Sequence, residues 1–171
     1  MGVTKMQAVR KGTSGSSALE FTLSSIPLIF AVISIVQMSL GMWNYHTLNE
    51  AVKVTARTAA VRGSDCASLA CAMTVGEIAQ MIDTKGVGLL PTSLDITLTD
   101  SNGAIACNPV STCTSSTTTW PRSGANSVGQ VISISGSYPF TSPVAMFVPG
   151  RRASSFAPLT FSAISQQVID Y

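Results

Sequence analysis

Between Phe21 and Trp43 the chain runs for 23 residues without a charged side chain. About 20 apolar residues in a helix cross the hydrocarbon core of a bilayer. A helix is also the one open segment that satisfies all its own backbone groups there. This stretch therefore predicts a transmembrane helix, and the rest of the chain must be arranged around it. It exceeds the 7–15 apolar residues of an ordinary signal peptide, and Met38, Leu40 and Met42 stand where a small-x-small cleavage site would be needed. The stretch is thus expected to stay on the mature protein. Trp43 and Tyr45 lie where amphipathic rings mark the membrane–water boundary. A buried core helix is the competing reading, and the length and the lack of polar residues argue against it.

The flanks do not orient the span by charge. Lys5, Arg10 and Lys11 precede it, and Lys53, Arg57 and Arg62 follow it, so the positive-inside count is a tie. The cysteines break the tie. Cys66, Cys71, Cys107 and Cys113 all follow the span. An even number in sequence-local pairs suggests disulfides in an oxidising compartment. The N-terminus is then cytoplasmic and the downstream region periplasmic or extracellular. Four cysteines allow three connectivities; Cys66–Cys71 and Cys107–Cys113 are favoured because each closes a short loop of turn formers. Intervals of four and five residues argue against zinc knuckles. Charged residues make up only 11% of the chain, against about 25% in an ordinary soluble domain. A net charge of +2 with no basic stripe among aromatics argues against nucleic acid as a partner.

Glu20 opens the apolar helix, where an ionisable group is costly and usually has a partner. A first-turn carboxylate favoured by the helix dipole is the simpler account. The residues before it add to this: Gly15-Ser16-Ser17-Ala18-Leu19-Glu20-Phe21, preceded by a basic leader. A glycine, four residues, Glu-Phe and an apolar helix together resemble a type IV prepilin processing site. More narrowly, the segment resembles the TadE-like group of the tight-adherence (Tad/Flp) pilus system. The run GTSGSSALEF, Pro27 within the helix, and the small-residue-rich LNEAVKVTARTAAVRG carry the resemblance over residues 12–63. The resemblance implies that a prepilin peptidase cuts between Gly15 and Ser16. It implies that Glu20 pairs with the new N-terminus of a neighbouring subunit, beside Phe21, and that Pro27 kinks the helix. It also implies other pilin or pseudopilin subunits, an assembly platform and membrane lipid as partners. Major Flp pilins are far shorter, so the size fits a minor pilin or pseudopilin.

Three regions follow: a leader at 1–15, a membrane helix at 16–63 continuing as an amphipathic helix from 44, and an extracytoplasmic domain at 64–171. Leu48, Val52, Thr55, Ala56 and Ala59 fall on one face of the continuation, and Glu50, Lys53 and Arg57 on another. The apolar face suits packing on the chain's own domain or on another subunit; Gly63 is the expected cap. Thr74 and Glu77 have capping-box spacing for a helix over 75–85, which Gly86 and Gly88 end. Period-two alternation predicts strands at 94–99, 128–138 and from 159 towards 168. Asp100-Ser101-Asn102-Gly103 is turn chemistry, residues 107–127 a Ser/Thr-rich excursion, and Pro139 a break after the second of these strands. The fold class is α+β, with a long N-terminal helix on a small antiparallel sheet.

No catalytic constellation emerges. His46 is the single histidine, with no triad or metal partners, and no cofactor is expected. Asp95 and Asp100 flank a strand and are expected to be solvated. Two other functions compete with a pilus subunit. One is a signal-anchored extracytoplasmic binding module, with Trp120, Tyr138, Phe140 and Phe147 as a ligand surface. The other is a membrane-anchored hydrolase, for which no polar cluster is found.

Overall fold

The computed structural model describes residues 14–62, 73–141 and 159–170. The chain divides into two compact units, Met1–Met38 and Ser39–Tyr171. Gly63, Cys66, Cys71 and Phe147 lie outside the described residues.

The longest element is α1 (Ser14–Val61), a helix of 48 residues with Pro27 inside it. The first unit consists of its N-terminal part. There Thr22 Oγ1 donates to the Ala18 and Leu19 carbonyls, Ser24 Oγ to Glu20 O, Ser25 Oγ to Thr22 O and Ser34 Oγ to Phe30 O. Each of these hydroxyls is satisfied within the helix, which lets it sit in an apolar surrounding without a stranded donor.

In the second unit the C-terminal part of α1 joins α2 (Val75–Lys85) and four strands: β1 (Asp95–Asp100), β2 (Gly103–Cys107), β3 (Val131–Phe140) and β4 (Leu159–Val168). The sheet is antiparallel in the order β2-β1-β3-β4. The fold is α+β, as the alternation and helical spacing imply. α2 spans the expected residues, and both capping-box bonds form: Glu77 N donates to Thr74 Oγ1 at 3.1 Å and Thr74 N to Glu77 Oε2 at 3.0 Å. Its next donors are taken by the loop that leads into β3, Val75 N by Thr118 O and Gly76 N by Ser116 O. A Cβ at Gly76 would stand 2.6 Å from Ser116 O, so this close approach needs glycine.

Ile96, Leu98, Ile132, Ile134 and Tyr138 form the inner sheet face, buried under Leu48, Ala51, Val52, Ala56 and Ala59 of α1 and under Ile78, Ala79 and Ile82 of α2. Of the two uses open to the small-residue face of α1, packing on the chain's own domain is the one observed. The approach is close at Gly136, where an added Cβ would meet Leu48 Cδ1 and Val52 Cγ2 at 3.0 Å. Each fully buried Leu or Ile contributes about 1.5–3 kcal/mol, so this helix–sheet contact supplies much of the unit's stability.

One expectation is corrected, and one strand had not been expected. Pro139 lies inside β3, opposite Thr160 of β4. β1 stops pairing at Ser137, so the proline has a strand on one side only and its missing N–H can be accommodated. The second strand of the hairpin, β2, escaped the alternation test because Gly103-Ala104-Ile105-Ala106-Cys107 has only Ile105 as a large apolar residue.

Candidate functional site

The processing and assembly residues all fall on the N-terminal part of α1. Gly15 and Ser16 lie in its first turn, followed by Glu20, Phe21 and Pro27. Glu20 is exposed, and among the described residues its carboxylate takes part in no ion pair. Leu19, Phe21, Leu23, Ile26, Leu28, Ile29, Phe30, Val32, Ile35 and Val36 are all exposed, Phe21 at 74%. A helix apolar on every side and covered on none cannot be stable in water. The helix is long and apolar enough to cross a membrane, and none of its most apolar window is buried within the protein. Its 23 uncharged residues would extend about 35 Å along the axis, enough for a hydrocarbon core of about 30 Å.

Residues 15–57 match the model of the TadE-like protein family. The TadE-like match takes in Gly15, Glu20, Phe21, Pro27 and the exposed apolar stretch, and it ends at Arg57 within the packed part of α1. It thus coincides with the segment whose residues carry the resemblance. No curated protein and no solved structure matches the chain.

Past the TadE-like segment, the second unit holds structural chemistry. Cys107 and Cys113 are joined by a disulfide with Cα atoms 5.7 Å apart, fastening the end of β2 to a 3₁₀ turn at Val110–Cys113. Among the described residues no cysteine is free and no His/Cys/Asp/Glu group is assembled that could hold a metal. Trp120 and Tyr138 are buried core residues and Phe140 is half-buried, so they do not form an open aromatic ligand surface.

Asp100 corrects the expectation of a solvated carboxylate. It shares the inner parity of β1 with Ile96 and Leu98, and is buried. Arg122 binds it in a fork, Nη2 to Oδ1 at 2.7 Å and Nε to Oδ2 at 3.0 Å, while the backbone N–H groups of Asn102 and Arg122 also donate to it. Burial pushes the Asp100 carboxyl up, but the Arg122 side chain and the two backbone donors outweigh it and hold the pKa below the ordinary 3.8. The bond to Asp100 in turn raises the Arg122 guanidinium. The pair ties the β1–β2 turn to the loop at 121–125, a structural role. Its signal in the sequence was the period-two register that places Asp100 on the apolar side.

Sequence reasoning also missed an aromatic clamp on α1 at Gly41. A Cβ on this buried glycine would stand 3.6 Å from Phe161 and 3.8 Å from Phe140. Phe161 packs edge-on to Tyr45 at 5.9 Å and against Phe140 at 5.6 Å. The paired strand ends of β3 and β4 bring Phe140 and Phe161 to this helical turn, over separations of about a hundred residues that no local pattern reports.

Proposed function

We propose that this chain is a minor pilin or pseudopilin-like subunit of a Tad/Flp-type pilus, processed by a prepilin peptidase. The carrying observation is the TadE-like match over 15–57, in which Gly15 and Glu20 stand at the start of α1, ahead of its exposed apolar stretch. In this reading residues 1–15 are a cytoplasmic leader, residues 16–63 hold the subunit in the cytoplasmic membrane, and residues 64–171 form a domain outside the cytoplasm. Three physical features support it. The apolar stretch requires a lipid or protein cover. The Cys107–Cys113 disulfide suits an oxidising compartment. The carboxylate of Glu20, exposed and free of ion pairs among the described residues, is available to a neighbouring subunit's ammonium. Within low-dielectric surroundings such a pair needs both members, because an uncompensated charge is costly.

The bond to be cut lies in the first turn of α1, so cleavage requires that turn to unwind. A helix end frays readily, and glycine lowers the cost further. Intact mass and N-terminal sequencing of the membrane-extracted protein, with and without co-expressed prepilin peptidase, test the reading. The expected result is a peptidase-dependent start at Ser16. A start at Met1 or Gly2 in both samples overturns it and favours the signal-anchored binding module. Glu20→Ala is expected to stop assembly into filaments while leaving the protein in the membrane fraction; normal piliation in that variant would count against the assigned role of the carboxylate.

A further inference from the structure

We propose that the connection between α2 and β1 is a second membrane contact, inserting Val87 and Leu90 into the interfacial layer of the bilayer beside Trp43. The proposal rests on the reading of α1 as a membrane helix. Residues 86–93, Gly-Val-Gly-Leu-Leu-Pro-Thr-Ser, contain no charged side chain. Leu89 is buried and fixes the loop to the core, whereas Val87 and Leu90 are 63% and 61% exposed. The loop comes close to α1 at Gly88. Gly88 has φ +92°, and a Cβ there would stand 3.6 Å from Trp43 Nε1 and 3.8 Å from Asn44 Oδ1. This left-handed turn, open to glycine at little cost, is what brings the loop backbone so near the indole.

Trp43 closes the apolar run, with Asn44 and His46 after it, at the position where the sequence places the bilayer surface. A loop whose backbone lies this near Trp43 is therefore within reach of the headgroup layer. Its two exposed apolar side chains suit the upper acyl region. Lys85, which lines a cleft of about 580 Å³ with Val87, Trp43 and Glu50, suits the phosphates of anionic lipid just above. The chemistry matches a lipid surface: apolar tips, an indole, and a lysine at the polar edge.

The test uses the full chain reconstituted in phosphatidylcholine/phosphatidylglycerol vesicles. In a Trp43→Phe background, Leu90→Trp places a reporter in the loop, and Val128→Trp places one at an exposed position just before β3; Trp120 is buried and common to both. The Leu90→Trp emission is expected to fall about twofold or more with acyl-brominated phosphatidylcholine and to resist aqueous iodide, with Val128→Trp showing the reverse. If Leu90→Trp follows the Val128→Trp pattern while native Trp43 is quenched by the brominated lipid, the loop proposal is overturned and the membrane helix stands. Protection from both quenchers also overturns it, since the loop would then be covered by protein, as in a dimer. If native Trp43 escapes the brominated lipid, the membrane-helix reading and this proposal fall together.

Discussion

Along α1, the large side chains from Leu19 to Val36 are exposed, whereas the smaller set Leu48, Ala51, Val52, Thr55, Ala56 and Ala59 is fully buried. The more hydrophobic stretch of the helix is thus the one that makes no core. The difference shows that burial follows shape and partners as much as hydrophobicity. Gly136 of β3 leaves room for Leu48 and Val52 to seat on the sheet, and Ala51, Ala56 and Ala59 beside them are fully buried, a fit that the run of bulky residues in the first stretch does not offer. Among the described residues none covers them, and a lipid solvent would accept them on every side.

The comparison is most sharply broken at Leu48. Leu48→Ala removes a fully buried side chain that sits over Gly136, and is expected to destabilise the domain by about 2–5 kcal/mol. Chemical denaturation of the detergent-extracted protein should record this, while the amount resisting carbonate extraction from membranes stays unchanged. Equal loss of both would mean the two stretches do not act separately.

Val32→Arg is the converse. Val32 is exposed within the apolar stretch, and an arginine near the middle of a span costs roughly 2.5–3.5 kcal/mol of insertion free energy. The expected outcome is a marked drop in the integrated fraction, with the denaturation midpoint of the domain unmoved. Unimpaired integration would remove the lipid explanation for the exposed residues.

The smallest effect is expected from acid. The folded-state pKa of Asp100 is held below its ordinary 3.8, so the pair with Arg122 stabilises the domain fully above that value. The contribution is lost as pH falls through the depressed folded-state pKa. Arg122 is partly open to solvent, which screens the pair and keeps the contribution modest. Stability measured from pH 6 downward should therefore begin to fall below about pH 4, and Asp100→Asn should flatten that part of the curve. The helix content of the exposed apolar stretch should not follow the decline.

Much of the architecture was legible along the chain because local chemistry specifies it. Thr74 and Glu77 set the start of α2 through a capping box that needs only a three-residue interval. Alternation in β1, β3 and β4 reflects a pleat with one face on the core. The short β2 was hidden by its small residues, and Pro139 misled because its tolerance in β3 depends on where a neighbouring strand stops. Gly15, Glu20 and Phe21 were legible as a motif on the chain, and they stay close together because one helix carries them.

The sequence by itself determined the uncharged stretch long enough to span a bilayer, the Gly15–Phe21 motif before it, and the spacing of the local elements, since all three depend on neighbours along the chain. Tertiary structure alone decided that the alanine face of α1 covers the sheet, that Asp100 is buried against Arg122, and that Phe140 and Phe161 close over Gly41. The physical reason is range. Periodicity, capping and hydropathy are properties of a few consecutive residues, whereas the partner of a buried charge or a bare glycine is chosen by strand order and register, which bring together residues far apart in the chain.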